Sequence, residues 1–266
     1  MTPATLGFAF TLEHEALHSP DLRDEALRLM ASPSWGPPLR YFSSIAVSGQ
    51  KKVRRPGLLS AKERDGIYAE ILATEATGTV GMASSARSDE EFAQFSIDTQ
   101  IQPWSARKAK TCGLRPWEPT VTRSQWLIDV LTFAERAPAN QGVVFAMATH
   151  AAAMAEAWAS NITLPNGRDA HPRADQVSGM SVNHKEMGSR YVRFPRWGTF
   201  YSRAYVAQLG GADRIVEVVR PAVVRELGAG MYFQLTDSFE SALSDEALAK
   251  QHAFELLAEP LLPPIG

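Results

Sequence analysis

A single cysteine, Cys112, stands in this chain of 266 residues. That scarcity excludes an intramolecular disulfide and a structural zinc site built from cysteine pairs. Lys108, Lys110 and Arg115 flank the thiol, a setting that would suit a reactive cysteine. Reactive thiols usually need a dedicated histidine or helix-terminus partner, so a small hydrophobic cysteine is the preferred reading. A charge bias is missing too. With 27 Lys and Arg against 29 Asp and Glu, the formal net charge is −2, which favours neither a nonspecific nucleic-acid binder nor a strongly acidic DNA mimic. No apolar run reaches the ~18 residues that a membrane span needs. The opening MTPATLGFAFTLEHEALH has no basic leader and no long apolar stretch, so it does not read as a signal peptide and the expected compartment is the cytoplasm. A G-x-S-x-G nucleophile elbow is absent, and Gly78, Gly81 and Gly113 fall in no Walker or Rossmann spacing.

What remains is globular material, 45% hydrophobic and 21% charged, long enough to bury a substantial core. Strand-like alternation runs from Leu6 to Leu12, and Asp21 to Met30 is an amphipathic helix stopped by Pro33, Gly36, Pro37 and Pro38. Leu39 to Val47 reads as a strand, and Ser60-Ala61-Lys62-Glu63 as a capping box opening a helix to about Ala73. Thr79 to Met82 and Thr111 to Trp117 are further strands, while 84–110 carries no clear pattern. Thr122 to Arg136 is the clearest helix, with Trp126, Leu127, Val130, Leu131 and Ala134 inward. A strand from Gly142 to Ala148 and an alanine-rich helix from Ala151 to Ser160 follow, and then a polar loop over 161–175. Short strands alternate with helices without an even βαβ register. The expected fold class is therefore α+β, a mainly antiparallel sheet covered by helices on one face. The two halves share a strand–helix–strand rhythm without residue-level repetition. The reading is one domain over 1–266, and a sub-boundary, if present, falls near 100–110.

Several polar groups compete for a functional role. His14-Glu15-Ala16-Leu17-His18 is a literal H-E-x-x-H, and two histidines four apart on a helix can share a zinc ion with the glutamate as general base. Ser19-Pro20 breaks the helix immediately afterwards, and His150, His171, His184 and Glu186 stand at no recognisable spacing for a third ligand. Surface histidines are the preferred reading, with a metal site at His14 and His18 as the alternative. His171, Asp175, His184 and Glu186, flanked by Arg168 and Arg173, lack a nucleophile and read as a solvated segment. Arg54 and Arg55, beside Lys51 and Lys52, would suit an acidic partner, and Asp89, Glu90 and Glu91 a basic one; a solvated loop and a helix N-terminus are the plainer readings. Trp104, like Trp35 and Trp117, sits in loop-like surroundings and would anchor an interface if exposed. The partner-facing candidates are thus Asp89, Glu90, Glu91, Trp104, Arg54 and Arg55.

The stretch RYVRFPRWGTFYSRAYVAQLGGADRIVEVVRPAVVRELGAGMYFQLT over 190–236 is rich in shape and poor in chemistry. It contains no carboxylate pair, phosphate-cradling loop or thiol cluster. Thr199 reads as the N-cap of a helix from Phe200 to Leu209, closed by Gly210 and Gly211. Asp213 to Val219 is a second short helix ended by Pro221, and Val223 to Leu227 and Met231 to Leu235 form a hairpin around Gly228-Ala229-Gly230.

Trp197-Gly198-Thr199, Tyr205-Val206, Leu209-Gly210-Gly211, the Val-Arg-Glu-Leu of 224–227, Gly230-Met231 and Glu259-Pro260-Leu261 together carry a resemblance. Over roughly its last third the chain resembles a family of bacterial immunity proteins associated with type VI secretion, long catalogued as a domain of unknown function. Pro195-Arg196 before the tryptophan departs from the family's expected lead-in. The resemblance implies a non-catalytic inhibitor that binds a cognate effector toxin, of nuclease type by expectation, in the cytoplasm of the producing cell. No cofactor, no metal, and no direct contact with nucleic acid or membrane are expected. A zinc-dependent hydrolase using the N-terminal H-E-x-x-H and a non-catalytic adaptor of the secretion apparatus are the alternatives.

Overall fold

β1, Thr5–Glu13, is the central strand of a nine-stranded antiparallel sheet ordered β2-β3-β4-β5-β1-β6-β7-β9-β8. The computed structural model describes residues 4–13, 20–36, 39, 41–47, 60, 62–63, 78–84, 93–98, 108–117, 123–137, 139–158 and 191–262. The remaining strands are β2 (Tyr41–Val47), β3 (Gly78–Ala83), β4 (Gln94–Asp98), β5 (Lys108–Pro116), β6 (Ala139–Met147), β7 (Gly198–Ser202), β8 (Val223–Leu227) and β9 (Gly230–Gln234). Among the described residues the helices are α1 (Pro20–Ala31), α2 (Arg123–Arg136), α3 (His150–Trp158), α4 (Arg203–Gln208), α5 (Ala212–Val219) and α6 (Asp245–Ala258). None of these is long and apolar enough to cross a membrane.

The alternation in β1 sets the layering, because successive side chains of a strand point to opposite faces. Leu6, Phe8, Phe10 and Leu12 enter one apolar layer and Ala9 the other. The bulky residues are accommodated by glycines opposite them: Phe10 pairs with Gly142, Phe8 with Gly113, and Gly7 with Phe145. A Cβ at any of these three glycines would collide with the facing ring. Each ring thus spreads over its neighbour's bare backbone, a cross-strand contact that fixes register as well as burying area.

On the Phe8 face, α1 and α2 pack against the sheet around Trp35, Phe95, Trp126 and Phe133, whose rings meet at centroid separations of about 6 Å. Burying each such side chain contributes ~1.5–3 kcal/mol. On the other face α3 lays Ala152, Ala153 and Ala157 over Ala9, Cys112, Val143 and Phe145. Small side chains there let the helix approach closely. Further along the same face, Phe254 of α6 meets Tyr201 of β7 and Phe233 of β9 edge-on. Helices therefore cover both faces rather than the expected one. The α+β class with an antiparallel sheet holds.

The other differences are local. β4 occupies part of the 84–110 stretch that carried no pattern. Its five residues contain only Phe95 and Ile97 as large apolar groups, too few to alternate visibly. Thr199 does not cap a helix. Phe200 and Tyr201 belong to β7, helix α4 starts only at Arg203, and Ser202 takes the N-cap place. The hydroxyl of Thr199 instead accepts from the Arg196 backbone N–H and donates to its carbonyl, both at 3.1 Å.

Candidate functional site

The signature residues are fixed by their own surroundings. Trp197 is buried, its indole N–H donating to the Thr236 hydroxyl at 2.7 Å while its ring stacks on Phe239. Gly198 lies beneath the Tyr232 ring, where a Cβ would collide with it. Leu209 is buried, and the two glycines after it end α4 as a Schellman motif: Gly211 N–H reaches the Val206 carbonyl at 2.9 Å and Gly210 N–H the Ala207 carbonyl at 3.1 Å. Their φ angles of 92° and 93° suit glycine. Trp197, Gly198, Thr199, Leu209, Gly210 and Gly211 are thus packing and turn residues. None presents a reactive group to solvent.

Behind the tryptophan lies a buried polar network. Arg196 forks between Glu156 on α3, at 2.8 Å, and Glu255 on α6, at 3.2 Å. Arg193 donates to the Glu156 backbone carbonyl at 2.7 Å, and Gln251 to the Glu255 carboxylate at 3.0 Å. Burial works against the Arg196 cation, but the two carboxylates outweigh it and raise its pKa. Arg193, with less compensation for its burial, is pulled down. Tyr201 donates to the Arg193 carbonyl at 3.0 Å; burial first, and the Glu255 charge second, push its pKa well above the ordinary phenol range. Buried pairs of this kind hold elements in one arrangement more than they add stability. Sequence reading missed them, although Glu156 is the lone carboxylate in the alanine-rich α3, and a lone acid on an apolar helix invites a search for its partner.

The surface near the signature opens into a cleft of about 360 Å³. Arg123, Ser124, Leu127 and Ile128 at the start of α2 form one wall, and Asp237, Ser238, Phe239 and Glu240 after β9 the other, with Trp197 between them. Ile128 is 50% exposed. Arg123 crosses the cleft to pair with Glu240 and lies 4.1 Å over the Trp117 ring. Desolvation alone would raise the Glu240 pKa, but hydrogen bonds from its own backbone and Ser238, together with the Arg123 charge, leave it lowered. A second cleft, about 310 Å³, lies between α1 and α2, where Glu25 pairs with both Arg28 and Arg136.

The candidate partner-facing residues Asp89, Glu90, Glu91, Trp104, Arg54 and Arg55 lie outside the described residues, as do His14, His18, His171, Asp175, His184 and Glu186. Ser60 and Glu63 keep the reciprocal hydrogen bonds of a capping box. Cys112 is buried under α3. Among the described residues no group of three or more His, Cys, Asp or Glu side chains is placed to hold a metal ion.

No family model and no curated protein sequence matches the chain. Among solved structures, the Pseudomonas aeruginosa T6SS protein PA0821 is similar, with a TM-score of 0.63 at 12% identity over 97% of this chain and 74% of that one. The two share a fold. At that identity the likeness extends to architecture alone.

Proposed function

We propose that this chain is an immunity protein: it binds a cognate type VI secretion effector in the cytoplasm of the producing cell and neutralises it without turning over any substrate. The observation that carries this reading is the fold likeness, along nearly the whole chain, to a protein of the same secretion system. The C-terminal resemblance, whose Trp197 lies between the walls of the cleft, supports it independently. Neutralisation then rests on covering or distorting the toxin's working surface. Specificity comes from an apolar contact rimmed by charge, since wrong partners leave charges unpaired. A nuclease is the toxin class this reading favours.

The test is co-expression with the effector encoded beside this gene. Growth is restored, and the two proteins co-purify, if the reading holds. Continued toxicity together with no detectable complex removes it for that effector. Binding to several secretion-machinery components in preference to one toxin would favour an adaptor instead.

A further inference from the structure

The cleft beside Trp197 has an uneven charge distribution. From Glu226 to Ala249 the sequence holds five acids, Glu226, Asp237, Glu240, Asp245 and Glu246, and no lysine or arginine. Four of them, Asp237 to Glu246, are exposed; Asp237 and Glu240 line the cleft, and Asp245 and Glu246 open α6. Arg123 answers Glu240 and Lys250 answers Glu246; Asp237 and Asp245 make no ion pair among the described residues. The opposite wall carries an aliphatic step after Arg123 and Ser124, with Leu127 half-buried and Ile128 half-exposed on a helix whose other outward residues are polar. An apolar step beside an unanswered carboxylate, Asp237, is complementary to one kind of protein surface.

We infer that the cleft between α2 and the 237–240 turn is the docking site for a segment of the effector in which an aliphatic or aromatic side chain is flanked by lysine or arginine. The inference rests on the immunity reading and deepens it. The apolar side chain sits against Leu127, Ile128 and Phe239, and the cation meets Asp237. The stacked pair Trp197 and Phe239 makes the floor rigid before the partner arrives, so little ordering is needed on binding. An apolar anchor with a charged rim is the usual anatomy of an energetic hot spot.

The experiment measures the affinity of the purified full chain for the adjacent effector, in a catalytically inactivated form, by titration calorimetry. Ile128→Asp weakens binding roughly tenfold or more, the scale of a central anchor. Asp237→Lys weakens it by a similar factor, mostly through steering and charge mismatch. Leu256→Asp, at an equally exposed leucine outside the cleft, leaves affinity unchanged. Melting temperatures of all three stay at the wild-type value, because each side chain is exposed. Wild-type affinity in both cleft variants, or an equal loss in Leu256→Asp, overturns the cleft while leaving the immunity reading standing. No complex with the wild-type chain removes both.

Discussion

Trp197 and Phe239 stack with ring centroids 4.2 Å apart and planes inclined by 31°. One residue immediately precedes β7 and the other follows β9, so the pair ties the turn after β9 to the sheet. Trp126 extends the contact, its ring 6.1 Å from Phe239, and so joins the turn to α2. The shape of the cleft is therefore fixed by aromatic rings beneath it rather than by its own polar rim.

Trp197→Ala removes a buried indole and leaves the Thr236 hydroxyl without its donor. The expected loss is about 3–5 kcal/mol in chemical denaturation. Trp197→Phe keeps most of the stack and gives up the hydrogen bond, for about 1–2 kcal/mol. Equal losses in the two variants would show that packing against Phe239 contributes nothing beyond the hydrogen bond.

Arg196→Met leaves Glu156 and Glu255 buried without their shared cation, and a loss of about 3–5 kcal/mol is expected. Arg196→Lys supplies a single point charge where a fork spanned two helices, and falls between wild type and the methionine variant. Urea denaturation curves rank the three. A lysine variant as stable as wild type would mean that charge alone suffices and the bidentate geometry does not.

Two glycines separate conformational from steric cost. Gly211, at φ 93°, has open space where a Cβ would go, so Gly211→Ala costs about 1 kcal/mol through backbone strain alone. At Gly230 a Cβ would strike the Tyr201 carbonyl and the Phe200 ring. Gly230→Ala is therefore the more damaging, by about 1–3 kcal/mol beyond the first. Thermal melts of the two variants measured side by side decide the order.

Glu240 gives a pH signature. Its folded-state pKa is depressed, so the stabilisation it provides is complete above the ordinary carboxylate value of 4.5 and disappears as pH falls through the lower folded value. Its side chain is 55% exposed, so the contribution is under about 1 kcal/mol after solvent screening. The stability gap between wild type and Glu240→Gln is flat above the ordinary carboxylate value of 4.5 and closes as pH falls below it. A gap that widens on acidification would reverse the sign and refute the pairing with Arg123.

Much of this fold can be read from the amino-acid order because helices and hairpins are specified locally. The period of α2 is unmistakable over fourteen residues, and the hairpin of β8 and β9 is announced by its glycines. The Gly210-Gly211 stop was legible because a left-handed cap admits few other residues. Thr199 misled because its hydroxyl serves a turn and a helix cap equally well; only the pairing of β7 with β6 and β9 decides between them. The cleft was invisible, since its walls are separated by over a hundred residues. So was the partnership of Glu156 with Arg196, which depends on α3 and the lead-in to β7 meeting in space.

That partnership has a consequence for how the chain tolerates change. Glu156 is one of the last residues of α3, and Arg193 and Arg196 come just before β7. Arg193 and Arg196 hold the end of α3 to the lead-in of β7 through that one carboxylate. A change of charge at any one of the three is therefore felt in α3 and in the lead-in to β7 at once.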